Sequence, residues 1–288
     1  MLSAFARPKV NLFLHVKGKR EDGYHLLESL VVFPTGGDKI SGREGLGLTL
    51  TVTGPFAEHV GETENNLVLR AARALQDKAK CELGADITLN KNLPVAAGIG
   101  GGSADAAATL HLLNQLWNLD FSSRQLEEIG MMLGADVPAC LRSRPVMLSG
   151  IGEKLADVDR LPGFTILLIN NRRPVLTADV FRKLDILLAP GPVFEFISGN
   201  FDELIGALGN CRNDLQVAAL EVVPEISQVL YALDNLVGCR LSRMSGSGGT
   251  CFGIFETAAS AETAVRRIEA DHPEWWVCSM PVSAETAC

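Results

Sequence analysis

Hydrophobic and polar residues alternate along "PKVNLFLHV" near the start of the chain. Val10, Leu12, Leu14 and Val16 fall on one face of a predicted strand, and Lys9, Asn11, Phe13 and His15 on the other. "KREDGYH" then predicts a turn centred on Asp22-Gly23, a strong hairpin signal. A second strand is predicted over 47–54 ("GLTLTVTG"). The period changes at "NNLVLRAARALQDKAK", which reads as a helix with Asn65 or Asn66 at its N-cap and lysines in its last turn. A strand around "ADITLNKNLP" leads into a glycine-rich segment. The helix after it carries Ala107, Leu110, Leu113 and Leu116 at helical spacing. "SSRQLEEIGMMLGADVP" predicts a further helix that starts at Ser122 or Ser123 and stops at Gly134.

The second half keeps the mixed style. "FTILLIN" (164–170) is a short apolar strand, and "TADVFRKLDILL" a helix with Thr177 as its cap. Residues 189–193 ("APGPV") form a loop, and helices are expected over 201–208 and 214–233. "CRLSRM" leads through "SGSGGT" into "CFGIFE". Glycines and prolines cluster at 150–163, which sets a domain boundary there. The expectation is a two-domain α+β chain divided into 1–155 and 156–288, with no internal repeat.

Composition narrows the function classes. An apolar content of 47% and a charged content of 21% over 288 residues suit a globular chain with a core. A net charge of −8 argues against a nucleic acid or an anionic membrane as the main partner. No apolar run approaches the roughly 20 residues of a membrane helix, and Arg7 and Lys9 interrupt the opening residues too soon for a secretory signal. Seven scattered cysteines without a CxxC pair read as reduced thiols in a cytoplasmic protein.

The glycine segment "PVAAGIGGGSADAA" (94–107) is the most informative stretch. Four glycines, Gly98, Gly100, Gly101 and Gly102, precede a helix, so either the backbone turns tightly there or something comes very close to it. Successive N–H groups in such a loop can hold an anion at the positive end of the helix, with the Ser103 hydroxyl as a further phosphate contact. The GK[ST] ending of a Walker loop is missing, and Ser103 stands where a dinucleotide fingerprint needs its third glycine.

With its flanks, "LPVAAGIGGGSADAA" resembles the ATP-binding signature of the GHMP kinases, a family of small-molecule kinases. "KVNLFLHV…REDGYHLLES", "LGADVPAC" and "MSGSGGTCFGIF" extend the resemblance over residues 5 to 257. It implies a two-domain α+β fold with the active site in the interdomain cleft, ATP as co-substrate and Mg2+. The "N…DGYH" segment narrows the implied acceptor to a small molecule carrying a cytidine diphosphate group. Its tertiary 2-hydroxyl would be phosphorylated in the non-mevalonate route to isoprenoid precursors. A homoserine- or mevalonate-type kinase, or a nucleotide-binding sensor without catalysis, are the alternatives.

The resemblance carries roles to individual positions. Asp136 matches the catalytic aspartate, able to accept a hydroxyl proton, and Lys9 the lysine that partners it. ATP would lie against Pro94, Val95, Ala96, Ala97, Gly98, Ile99, Gly100, Gly101, Gly102, Ser103 and Ala104. Asn66 would contact adenine and Lys91 lie near the phosphates; the plain readings are an N-cap and a solvent-facing charge. Tyr24 and His25 would grip cytosine, opposed by Phe181, with Thr177 one turn before it. Asn11 shares the substrate site, and Gly246, Ser247 and Gly248 shape it near the substrate's phosphates. Many relatives have Ser-Asn where this chain has Ala104-Asp105, and Asp105 is left outside the site because its charge would repel phosphates.

Overall fold

A computed structural model describes residues 1–184, 191–194 and 199–283. In chain order these form β1 (Leu2–Ala6), β2 (Val10–Asn11), β3 (His15–Lys19), β4 (His25–Val32), β5 (Asp38–Gly45) and β6 (Leu48–Thr53). Helix α1 (Leu67–Ala79), β7 (Gly84–Asn90), α2 (Gly101–Leu116), α3 (Ser123–Leu133) and α4 (Val137–Arg142) follow. Then come β8 (Val146–Gly150), β9 (Lys154–Asp157), β10 (Phe164–Asn170), α5 (Thr177–Lys183), α6 (Phe201–Gly209), α7 (Gln216–Val222) and α8 (Ile226–Asp234). The last elements are β11 (Leu241–Met244), β12 (Thr250–Phe255), α9 (Ala258–Asp271) and β13 (Trp276–Val282).

Two compact units share these elements. The first unit is built from Met1–Lys9, Gly36–Val95 and Gly100–Ser143, the second from Val10–Thr35, Ala96–Ile99 and the chain from Arg144 onward. The chain therefore changes unit between Lys9 and Val10, and twice within the glycine-rich segment.

In the first unit a four-stranded sheet runs β1-β5-β7-β6, with β6 and β7 parallel and joined through α1. Asn66 caps α1, its side chain accepting from the Val68 N–H at 2.8 Å. Ser122 and Gln125 close a capping box at the start of α3. Helix α2 packs against α1, α4, β1 and β5. Gly42 in β5 gives Leu112 of this helix its room: a β-carbon there would stand 2.8 Å from the leucine side chain.

The second unit holds two sheets, β11-β12-β10-β13 and β2-β4-β8-β9, with β3 paired to β4. The β3–β4 hairpin turns at Asp22-Gly23 as expected: Arg20 N–H donates to Tyr24 O, and Gly23 N–H to Arg20 O. Every residue of β10 is buried, and Leu167 and Ile169 join Val180, Val229, Leu233 and Phe255 in the core. Buried Arg243 donates to the backbone carbonyls of Leu12, Leu208 and Cys211, satisfying carbonyls that no strand pairs.

Three local expectations need correction. The strand over 9–16 is not continuous: pairing to β4 lapses after Leu12, Leu14 bridges to Asn213, and both faces are buried from Pro8 to Val16. The helix over 214–233 is two helices, because Pro224 has no N–H to continue the first. Helix α5 has Leu176 rather than Thr177 at its N-cap position and no side-chain capping bond, the Thr177 hydroxyl being used elsewhere. The predicted continuation of α5 to 188 and the start of the 189–193 loop lie outside the described residues. No helix among those residues is long and apolar enough to cross a membrane, and six cysteines among them are free thiols.

Candidate active site

In the first unit, Lys9 and Asp136 meet across 127 residues of chain, Lys9 Nζ donating to Asp136 Oδ1 at 2.7 Å. Asp136 stands at the N-cap of α4 but makes no capping bond, so its carboxylate is free to face Lys9. The pair is asymmetric: the lysine side chain is 9% exposed and the carboxylate 39%, which leaves the aspartate able to take a proton from a ligand. One turn further along α4, burial pushes the Cys140 thiol up and keeps it un-ionised.

Gly100 holds this pair against the mouth of α2. It is the N-cap of that helix at φ 61°, a conformation side chains rarely adopt. A β-carbon there would lie 3.1 Å from Lys9 Cβ. The first intrahelical bond runs from Ala104 N–H to Gly100 O, so the N–H groups of Gly101, Gly102 and Ser103 have no helical acceptor. Three donors at a helix N-terminus beside a Lys–Asp pair are an arrangement that can hold an anion.

Behind that helix end, Lys91 is neither solvent-facing nor directed at open space. Its ammonium lies 2.5 Å from Asp38 Oδ2 and 2.6 Å from Asp105 Oδ2, and all three residues are buried. Burial pulls the Lys91 ammonium down, but the two carboxylates outweigh it and hold the group charged. Gly101 has room for no large side chain here, since its β-carbon would be 3.3 Å from Lys91 Nζ. Asp105 is thus turned inward onto a lysine, which removes the repulsion expected of an aspartate at this position.

The second unit assembles the other predicted residues. Asn11 is buried, its amide donating to Ser29 Oγ at 2.7 Å and its backbone N–H to Ser245 Oγ at 3.1 Å. The Asn11 side-chain oxygen is buried with no partner, an acceptor left for a ligand donor. Ser245 donates in turn to Gly98 O at 3.2 Å, and Thr250 N–H to Ala97 O at 3.1 Å. Gly98 (φ 70°) and Gly246 (φ 54°) fit into each other's backbone: a β-carbon on Gly98 would be 2.4 Å from Gly248 O, one on Gly246 2.7 Å from Gly98 O. Tight backbone packing is therefore one reason for glycine at 98, and Gly246–Gly248 is also the turn between β11 and β12. The hydroxyls of Thr177 and Ser247 lie 2.8 Å apart.

His25 packs against Phe181 in a tilted arrangement, ring centroids 4.9 Å apart at 30°. Burial, then the Lys19 charge, lowers the His25 imidazole, and its Nε2 is buried without a partner. Tyr24 is exposed at the hairpin tip. Asn66 is spent on its N-cap bond through its oxygen, which leaves its amide donors. Sequence reasoning missed Ser29, Ser245, Asn213 and Asp38; Ser245 lay within the "MSGSGG" motif, whereas the others carry no local signal. Asn213 donates to Met244 O and Gly246 O, both at 2.8 Å, and so holds the second glycine turn.

The sequence matches the GHMP kinases N terminal domain over residues 66–144 and the GHMP kinases C terminal domain over 195–274. A curated protein of Parvibaculum lavamentivorans named 4-diphosphocytidyl-2-C-methyl-D-erythritol kinase is 46% identical, with 94% of this chain and 95% of that one covered. One of the same name from Paracoccus denitrificans is 48% identical, covering 95% and 94%. A crystal structure of 4-(cytidine 5'-diphospho)-2C-methyl-D-erythritol kinase superposes with a TM-score of 0.79 at 29% identity, covering 98% of this chain and 99% of that one. A homoserine kinase from Cytophaga hutchinsonii shares the fold, with a TM-score of 0.71 at 16% identity and coverage of 98% and 94%.

Proposed function

Because the chain belongs to the GHMP kinase family and is an ATP-dependent small-molecule kinase, we propose that it phosphorylates 4-diphosphocytidyl-2-C-methyl-D-erythritol on its tertiary 2-hydroxyl. The observation that carries the chemistry is the Lys9–Asp136 pair held by Gly100 at the open end of α2. The hydroxyl oxygen forms a bond to the γ-phosphorus of ATP, the bond from that phosphorus to the bridging oxygen breaks, and ADP leaves. Asp136 accepts the hydroxyl proton, and the Lys9 ammonium offsets negative charge that builds around the transferred group. The N–H groups of Gly101 to Ser103 orient the phosphates along the helix axis.

Asn66 serves adenine through its free amide donors, and the segment from Pro94 to Ala104 lines the nucleotide. Lys91 acts on the phosphates from behind the helix end, where two of its three ammonium donors are engaged by carboxylates. In the second unit, neutral His25 and Phe181 supply an aromatic surface for cytosine, with Tyr24 at the hairpin tip as the further aromatic. Asn11, Thr177 and the turn Gly246–Gly248 position the rest of the acceptor. That aromatic surface favours a pyrimidine-bearing acceptor over homoserine or mevalonate, which offer no ring to stack.

Among the described residues no group of three or more His, Cys, Asp or Glu side chains could hold a metal ion. Magnesium is inferred from the charge of ATP, with which it enters as part of the substrate. The free thiols among the described residues suit a reducing compartment, which supports a cytoplasmic reaction. Residues 1–155 and 156–288 are assigned as the N- and C-terminal family domains.

The test is ADP release from MgATP with the cytidyl substrate, homoserine and mevalonate in parallel, for wild type and Asp136→Ala. Turnover confined to the cytidyl substrate and lost by a factor of about 10² or more in the variant is the expected result. Turnover on another alcohol would overturn the substrate, and nucleotide binding without turnover on any of them would favour a sensor.

A further inference from the structure

Asp38, Lys91 and Asp105 form a closed group in the first unit, with relative exposures of 0%, 3% and 3%. One ammonium faces two carboxylates, and the two are not equally supported. Asp38 carries the lysine on one oxygen and receives the Asn92 and Leu93 N–H groups on the other, at 2.5 and 2.8 Å. Asp105 carries the lysine alone: its Oδ1 is buried without any hydrogen-bond partner, and the nearby Thr109 hydroxyl donates to the Asp105 backbone carbonyl instead. A second buried carboxylate on one ammonium is uncompensated, and an interior site removes such charge by protonation. The less supported member takes the proton.

We infer that Asp105 keeps a proton until pH rises to about neutral, so that the group behind the phosphate-binding end of α2 is electrically neutral in mildly acidic solution, and that losing this proton as pH rises further makes it anionic and weakens nucleotide binding. Asp105 is thereby a positioning residue: it touches no substrate and acts through Lys91, whose ammonium lies 3.3 Å from where a Gly101 β-carbon would be. The inference rests on the reading of α2 as the ATP phosphate site.

The surroundings agree. The Asp105 carboxyl is raised to about 7, with burial pushing it up most, Lys91 drawing it back and the neighbouring Asp38 pushing it up. The groups facing it are Asp38 from β5, Lys91 from the segment after β7, and Cys140 from α4, with Asp136 and Lys9 beyond that thiol. Helix α1 presents apolar Leu67 to Gly102. Bound phosphates add negative charge at the helix end, so they favour protonated Asp105; by linkage, nucleotide raises its midpoint, and affinity falls as pH rises through that midpoint.

Carboxyl-carbon NMR of protein labelled with 13C-aspartate tests this, first free and then with ADP, alongside ADP affinity at pH 6 and pH 8. One carboxyl is expected to titrate near 7 in the free protein, to move upward with ADP and to be missing in Asp105→Asn. Affinity is expected to fall several-fold more in wild type than in that variant between the two pH values; the comparison cancels the titration of ADP itself. Should Asp105→Asn not fold, Asp38→Asn is expected to lower the midpoint of the same carboxyl, and sequential assignment in wild type identifies it. The inference is overturned if every aspartate titrates below about pH 5, or if the carboxyl near 7 is not Asp105. It is also overturned if that carboxyl ignores bound ADP. Failure of ADP to bind at all would overturn the ATP reading, and the free-protein titration would still decide where the proton sits.

Discussion

Lys9 runs past Gly100 where a side chain would otherwise be, with 3.1 Å between the lysine β-carbon and the position of a glycine β-carbon. The glycine is needed twice, for its left-handed backbone and for the lysine's route to Asp136. Gly100→Ala is expected to lose about 1–2 kcal/mol of stability from the backbone conformation. The larger effect is on kcat, tenfold or more, because the displaced lysine no longer meets Asp136. Chemical denaturation and steady-state kinetics together check it; an unchanged kcat would separate Gly100 from the Lys9–Asp136 pair.

Gly98 and Gly23 share positive φ, 70° and 90°, but not surroundings. A β-carbon on Gly98 would meet Gly248 O at 2.4 Å, backbone that cannot move aside, whereas one on Gly23 would meet nothing within 4 Å. Gly98→Ala is expected to destabilise by several kcal/mol and Gly23→Ala by only about 1–2 kcal/mol. Thermal melts of the two variants side by side decide; equal losses would show that backbone conformation alone sets the cost.

The tilted His25–Phe181 ring pair predicts a separable loss. Phe181→Leu keeps an apolar residue but removes the ring, so KM for the cytidyl acceptor is expected to rise about threefold to tenfold. KM for ATP should stay within twofold. Kinetics with each substrate varied in turn provide the check, and a change in the ATP value alone would move Phe181 out of the acceptor site.

Acid should destabilise the protein through two histidines. Burial lowers the imidazoles of His15 and His25; for His15 the Asp214 and Glu28 charges oppose this and Arg212 and Lys17 add to it. The unfolded chain takes up protons at these rings that the folded chain refuses. The stabilisation is therefore complete above about pH 6.5 and is lost as pH falls through the folded values. Tm is expected to drop between pH 6.5 and 5, with a shallower drop in His15→Gln. A flat Tm over that range in wild type would contradict the burial of His15.

Elements whose signals are local were legible in the chain. The Asn66 cap of α1, the Ser122–Gln125 box of α3 and the Asp22-Gly23 hairpin each rest on residues within a few positions of one another. Proline at 224 was also a local signal, and its missing N–H explains the break between α7 and α8. The family motifs likewise singled out Lys9, Asp136 and Gly100, which the fold brings together.

By itself, then, the sequence determined the chain's mixed helices and strands, its hairpin and caps, and the motifs that mark a kinase. Only the tertiary structure decided what the polar residues of those elements do. Alternation put Lys9 and Asn11 on a polar face, yet both are buried, because other segments cover that face. Thr177 stood where a cap belongs, yet its hydroxyl faces Ser247 from 70 residues away. Asp105 read as a charge beside phosphates until Asp38 and Lys91, separated by 53 residues, closed on it. Periodicity and capping act over a few residues, whereas a buried charge is compensated by whichever partner the fold brings within about 3 Å.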